Sequence, residues 1–172
     1  WPEDATRSEE EGCMEAAEPS RVSATAKSRG SPQLGSLGSG NHFLEIEKVD
    51  TVSDEKTAKA FGIERTGQIL VFIHTGSRGL GHQVCSDYLK VMDRAVSKYR
   101  IELPDRELAC SPGKSREAED YITAMASASN FAWANRQMIT HWTREAFEKI
   151  LNRPADDIGL HLIYDVAHNI AK

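Results

Sequence analysis

"GQILVFIHTGSRGLGHQ", residues 67–83, is the stretch that decides the fold. Its first eight residues form an unbroken apolar run of strand length, the pattern of a strand covered on both faces. The run closes on His74 and meets a glycine turn, residues 75–81. Helical spacing follows from about His82 to Tyr99, with Val84, Tyr88, Leu89, Met92 and Val96 on one side. A strand, a glycine turn and a helix start in that order can hold an anion on backbone N–H groups. Arg78, inside the turn, can add a two-pronged phosphate contact. A tight turn explains the glycines equally well.

Upstream, "SPQLGSLGSGNHFLEIE" (residues 31–47) sets a second glycine loop before a strand, since "HFLEIEKV" alternates apolar and polar residues. Rossmann and P-loop patterns follow a strand and open a helix, and a P-loop ends in Lys-Ser/Thr. This loop does neither, so a dinucleotide or Walker-type site is excluded. Residues 8–28 read as one or two helices broken at Pro19, and residues 53–61 as a short helix stopped by Gly62. Residues 100–116 read as a surface loop, and a helical pattern, with room for a break, runs from about Glu117 to Leu151. "NRPADDIG" is a turn or short cap, and "LHLIYDV" a further strand. In "ASNFAWANRQ" (128–137), Phe131 and Trp133 sit among small residues, a composition for close helix packing rather than for stacking bases. Strands separated by helices give an α+β chain with mixed sheets and packed helices.

With 172 residues, 40% of them hydrophobic, the chain can bury one proper core. No apolar run approaches the roughly 20 residues of a membrane span, and no membrane partner is expected. No signal peptide is apparent at the start. The missing initiator Met and the ending "HNIAK" read as a piece of a larger protein. Cys13, Cys85 and Cys110 are odd in number and unpaired by spacing, which points to a reducing compartment, cytoplasmic or nuclear, and away from disulfides or a zinc knuckle. The net charge of −5 is uneven. Residues 1–18, an acidic helical front segment, hold seven acids against one base, leaving 19 acids against 20 bases in residues 19–172. Arg21, Lys27 and Arg29 then form a basic strip with no acid between them, suited either to phosphates or to a solvated helix end.

Three of the six histidines share a setting. His42 opens a strand after glycines, His74 closes a strand before glycines, and His168 follows a strand and precedes Asn169. Polar side chains at strand ends converge on one rim of a sheet, where loop-built sites lie. Imidazole nitrogens from three such loops suit manganese, iron, zinc, nickel or copper. Taken singly, each histidine suits a hydrogen-bonded structural role as well. His82, His141 and His161 take the structural reading.

Four stretches, "PQLGSLGSGNHFLEIE", "IHTGSRGLGHQ", "ASNFAWANRQ" and "IYDVAHNIAK", together resemble the RtcB family of RNA-splicing ligases in order and content, from about Val22 to Lys172. The resemblance implies an RtcB-like but incomplete catalytic domain over residues 19–172. It also implies a GTP- and manganese-dependent RNA ligase that joins 3'-phosphate or 2',3'-cyclic phosphate ends to 5'-hydroxyl ends in tRNA splicing. On this likeness His42, His74 and His168 match manganese-binding histidines of a two-metal site. Asn41, His42, Phe43, Leu44, Glu45, His168 and Asn169 match a guanylate pocket, and Arg29 matches an RNA-phosphate contact. Arg78 joins Arg29 on the strength of its loop. The family's upstream Asp and Cys ligands have no counterpart here, and the guanylylated histidine is expected beyond Lys172, so the fragment alone is expected to be inactive. RNA, chiefly tRNA halves, is the implied partner, with a DEAD-box helicase and archease as possible complex subunits. Two rivals stand beside this reading: a non-catalytic RNA-binding or scaffold paralogue, and a metal-dependent phosphoesterase.

Overall fold

The computed structural model describes residues 1–171. In chain order its elements are α1 (Pro2–Thr6), α2 (Ala24–Gly30), β1 (Phe43–Lys48), α3 (Glu55–Ala60), β2 (Ile69–His74), α4 (Arg78–Tyr99), α5 (Arg116–Leu151) and α6 (Ala155–Ile158). Short 3-10 turns lie between several of them. The α+β class is borne out. Residues divide into two compact units, one built from 1–12, 35–76 and 133–167, the other from 13–34, 77–132 and 168–171. The long helix α5 contributes its first half to the second unit and its second half to the first.

In the first unit β1 and β2 form an antiparallel pair, with Phe43 opposite His74 and Lys48 opposite Ile69. The segment joining them contains α3, capped by Asp54, whose carboxylate accepts from the N–H groups of Lys56 and Thr57. At the far end of the pair, Val49 N donates to Gln68 O at 2.9 Å and Gly67 N to Val49 O at 2.7 Å. Arg144 of α5 is buried against Asp4, with Nη2–Oδ1 2.9 Å and Nη1–Oδ2 2.5 Å, and its guanidinium lies 3.7 Å from the Trp1 ring centroid. The acidic front segment is thereby anchored to α5 by one of its own acids.

The second unit packs α2 on α4 and the first half of α5 around Val22, Ala26, Leu80, Val84, Tyr88, Ala124 and Ala128. Small residues permit the close approach. A Cβ added at Gly30 would lie 2.6 Å from Leu80 Cβ. Ser23 caps α2 by accepting from Ala26 N at 3.1 Å and donates its own hydroxyl to Asp87 at 2.7 Å.

Several elements differ from the sequence expectation, each for a local reason. Residues 8–28 hold only 3-10 turns (Glu9–Gly12, Pro19–Arg21) before α2, because Glu10 and Glu11 take φ of 52° and Gly12 takes 76°, which no α-helix continues. "LHLIYDV" forms no strand and, among the described residues, makes only an isolated parallel bridge, Ser8 to Asp165. Its partner segment turns into the 3-10 helix at Glu9, so the ladder stops after Asp165 N→Arg7 O and Glu9 N→Asp165 O. β2 is not covered on both faces: Ile69 and Phe72, which point to opposite faces, stay 54% and 47% exposed. Helix α4 begins four residues early, at Arg78, and buries Leu80 and Ala95, while Leu89 faces outward. The 117–151 pattern, which leaves room for a break, is one unbroken helix, Arg116–Leu151.

Candidate functional site

The pairing of β1 with β2 decides what the glycine loops deliver. Because Phe43 sits opposite His74, the residue before Phe43 and the residue that ends β2 come to the same edge of the pair. The His42 and His74 rings have centroids 5.9 Å apart with planes at 82°, and both side chains are half-buried. Phe43 packs edge-on against His74 at 5.2 Å and against Phe72 at 5.3 Å, fixing one wall beside the imidazoles. Neutral imidazole is a transition-metal donor, and two such rings stand side by side here. Two nitrogens are half of a tetrahedral set or a third of an octahedral one.

The loop before His42 needs its glycines for backbone reasons. Gly35, Gly38 and Gly40 take φ of 76°, 112° and 74°, and a Cβ on Gly35 would run into the Trp142 ring. Across from it, the buried Thr75 hydroxyl donates to Leu37 O at 2.6 Å, stapling the segment after His74 to the glycine loop. Arg136 of α5 donates from Nη1 to Thr75 O at 3.2 Å and from Nε to Asp165 at 2.6 Å. Burial pushes the Asp165 carboxyl above its usual range, and the Arg136 charge and hydrogen bond offset only part of that. Asn135, beside Arg136 and fully buried, bonds to the backbone of Gly35, Ser36 and Gly76.

Of the predicted pocket residues in the first unit, Asn41, Leu44 and Glu45 are exposed around His42, and Phe43 is half-buried. His168 and Asn169 are exposed residues of the second unit. Among the described residues, no group of three or more His, Cys, Asp or Glu side chains is arranged to hold a metal ion.

In the second unit the two predicted RNA contacts are neighbours along the packed surfaces. Arg29 lies on α2, with Nη1 2.6 Å from Gln83 Oε1, and Arg78 opens α4. A Cβ added at Gly79 would lie 3.3 Å from Arg29 Cβ, so the chain after Arg78 passes directly over Arg29. Arg78 itself takes φ of 53° after Ser77 at φ −75°, ψ 4°, a right-then-left pair that turns successive N–H groups to one side. The Gly79 N–H of that turn donates to Gln33 Oε1 at 2.8 Å.

The whole chain, residues 1–172, matches the family model described as tRNA-splicing ligase RtcB. The chain belongs to the RtcB family. It is 60% identical over 169 residues to the tRNA-splicing ligase RtcB of Archaeoglobus fulgidus, covering 98% of this chain and 35% of that protein. It is likewise 60% identical over 172 residues to that of Aeropyrum pernix, covering all of this chain and 36% of the relative. The Pyrococcus abyssi protein is 58% identical over 172 residues, again across all of this chain and 19% of its own length. The chain thus spans about a third, or less, of the RtcB proteins it matches. The family match also takes in the acidic front, ahead of the Val22 at which the sequence resemblance begins.

The residues that sequence reading passed over are Asn135 and Arg136. "ASNFAWANRQ" reads as packing, and Ala132 and Trp133 are indeed buried at 7% and 3% exposure. The overlooked signal is polar residues continuing a buried small-residue face, since a buried carboxamide or guanidinium needs partners.

Proposed function

We propose that the full-length protein containing this chain is an RNA ligase of tRNA splicing that joins 3'-phosphate or 2',3'-cyclic phosphate ends to 5'-hydroxyl ends, using GTP and manganese. The observation that carries this reading is the His42–His74 pair, 5.9 Å apart at one edge of the hairpin, in a chain 58–60% identical to tRNA-splicing ligases. His42 and His74 would hold manganese, and the family likeness adds His168 as a manganese-binding histidine. Asn41, Phe43, Leu44, Glu45 and Asn169, with His42 and His168, line the guanylate side of the site. When bound, manganese supplies charge stabilisation at phosphoryl oxygens, and GTP supplies the guanylate that activates an RNA end.

What this chain's own residues contribute is orientation. Phe43 keeps the His74 ring upright, and the positive-φ glycines let the backbone approach without a Cβ in the way. Arg29 and Arg78 take RNA phosphates, a geometry that favours guanidinium over ammonium. The site works in the cytoplasm or nucleus, and a DEAD-box helicase and archease are the proposed companion subunits.

The test is to incubate the full-length protein with α-labelled GTP and manganese and to look for an acid-labile protein–GMP adduct. Labelling is expected, and His168→Ala should cut it sharply. Manganese-dependent phosphoester hydrolysis without labelling would point to a phosphoesterase, and RNA binding with neither activity to a scaffold. The isolated 172 residues should not ligate. Robust GTP-dependent ligation by them would overturn the proposed division of the site.

A further inference from the structure

We infer that Asn135 is the positioning residue that sets the spacing of His42 and His74, an assignment that rests on the metal role proposed for those rings. A carboxamide offers two donors and two acceptor lone pairs. Asn135 uses all four: Oδ1 accepts from Gly35 N at 2.6 Å and Ser36 N at 3.1 Å, and Nδ2 donates to Ser36 O at 3.2 Å and Gly76 O at 3.0 Å. It is 0% exposed and stands on α5, an element separate from both loops. One side chain therefore spans the loop that leads into His42 and the segment that leaves His74.

The arrangement fixes one geometry. A buried polar network that is fully satisfied specifies a single arrangement, whereas a half-satisfied one loses both energy and definition. Apolar packing alone would hold the loops together but would tolerate sliding. Directed hydrogen bonds to the backbones of two separate segments do not. A carboxamide also holds its pattern at every working pH, because it does not titrate.

The chemistry of substitution separates the tethers. Asn135→Asp keeps both acceptor bonds to Gly35 and Ser36 but sets a carboxylate against the carbonyls of Ser36 and Gly76, releasing the His74 side. Asn135→Ala releases both sides. Ile139→Ala serves as the control, since Ile139 is buried on the same helix at 6% exposure and lines an apolar groove with Leu37 and Trp142.

The experiment titrates the full-length protein with Mn2+ and follows the free-ion signal by electron paramagnetic resonance, with circular-dichroism melting of each variant alongside. Groups that orient metal ligands typically contribute about 10–100-fold in affinity. Asn135→Asp and Asn135→Ala are expected to weaken Mn2+ binding by about tenfold or more, and Ile139→Ala by less than about twofold at a comparable loss of melting temperature. Where Asn135→Ala does not fold, Asn135→Asp carries the comparison. Wild-type affinity in a folded Asn135 variant overturns the inference. So does a loss in Ile139→Ala that matches the Asn135 variants at equal melting temperature, since affinity would then follow stability alone. No Mn2+ binding by the wild type would overturn the metal reading itself, and this inference with it.

Discussion

Asp4→Asn removes one charge from a buried pair and should cost the fold far more than a surface substitution in an acidic tail. Asp4 is 4% exposed and Arg144 is 4% exposed; the carboxylate takes both terminal nitrogens of the guanidinium and a third bond from Gln137 Nε2 at 2.7 Å. Removing one partner of a buried pair leaves the other charge uncompensated, a loss of about 3–5 kcal/mol, against about 0–1 kcal/mol for an exposed pair. In a domain of this size that is about 6–20 °C of melting temperature. The assay is thermal unfolding of the 172-residue chain, followed by far-ultraviolet circular dichroism. pH supplies the internal check. Burial pushes the Asp4 carboxyl up, but hydrogen bonds from Arg144 and Gln137 and the nearby positive charge pull it down further, so its folded pKa is below the ordinary value. Its contribution is thus complete above the unfolded carboxylate pKa of about 3.9 and is lost as pH falls through the lower folded value. The gap between wild type and Asp4→Asn should therefore be constant from neutral pH down to about 4 and close below it. A loss under about 1 kcal/mol at neutral pH, or a gap that does not narrow in acid, refutes the reasoning.

Other outcomes follow from contacts at single positions. The double variant Asp4→Leu/Arg144→Met should recover most of what Asp4→Asn loses, because replacing a buried pair by apolar side chains is often neutral; urea unfolding of the two variants side by side measures it. Gly30→Ala should destabilise by about 1–3 kcal/mol, since its new Cβ would sit 2.6 Å from Leu80 Cβ in the core, and the melting temperature reads this out. Tyr88→Phe should cost about 1 kcal/mol, as it deletes the bond from the hydroxyl to Arg21 O at 3.0 Å, with the denaturant midpoint as the measure. Gly35→Ala puts a side chain at φ 76° and against Trp142, so it should lower both stability and Mn2+ affinity in the full-length protein, where Gly62→Ala at an open turn should lower stability alone.

Elements with strong periodicity were legible in the sequence, and those held by tertiary bonds were not. The alternation of "HFLEIEKV" and the apolar run of 69–74 give β1 and β2, and the spacing from Glu117 onward gives α5. The stretch before His168 has a strand's composition but no ladder, because its neighbour at Ser8 turns away after one bridge. Strand propensity describes a fit to a pleated surface, and the surface is absent there. The front segment reads as acidic and helical and holds α1, but its composition does not say that Asp4 is spent on a buried pair with a residue 140 positions away in sequence. Of the site, His42 and His74 were legible because the histidines flank strand ends, and the structure brings them together. Asn135 was not legible, since nothing in a small-residue helical pattern says which polar residue faces loops that arrive from sequence 100 positions earlier.

The pairing register explains why so much is invested around two side chains. A slip of one residue between β1 and β2 would move every side chain to the opposite face and separate His42 from His74. In a hairpin with a short turn the turn itself sets the register, but here the strands are joined by residues 49–68, with α3 among them, and so long a connection sets nothing. The face pattern contributes little either, as Ile46 and Phe72 are 64% and 47% exposed. What remains is fixation at the two ends. At the far end Val49, Gly67 and Gln68 close the ladder with two backbone bonds. At the histidine end Thr75 bonds to Leu37, Arg136 to Thr75, and Asn135 to Gly35, Ser36 and Gly76. The sheet supplies adjacency, the glycines supply reach, and the register that makes either useful is held at both ends, at the histidine end largely from α5.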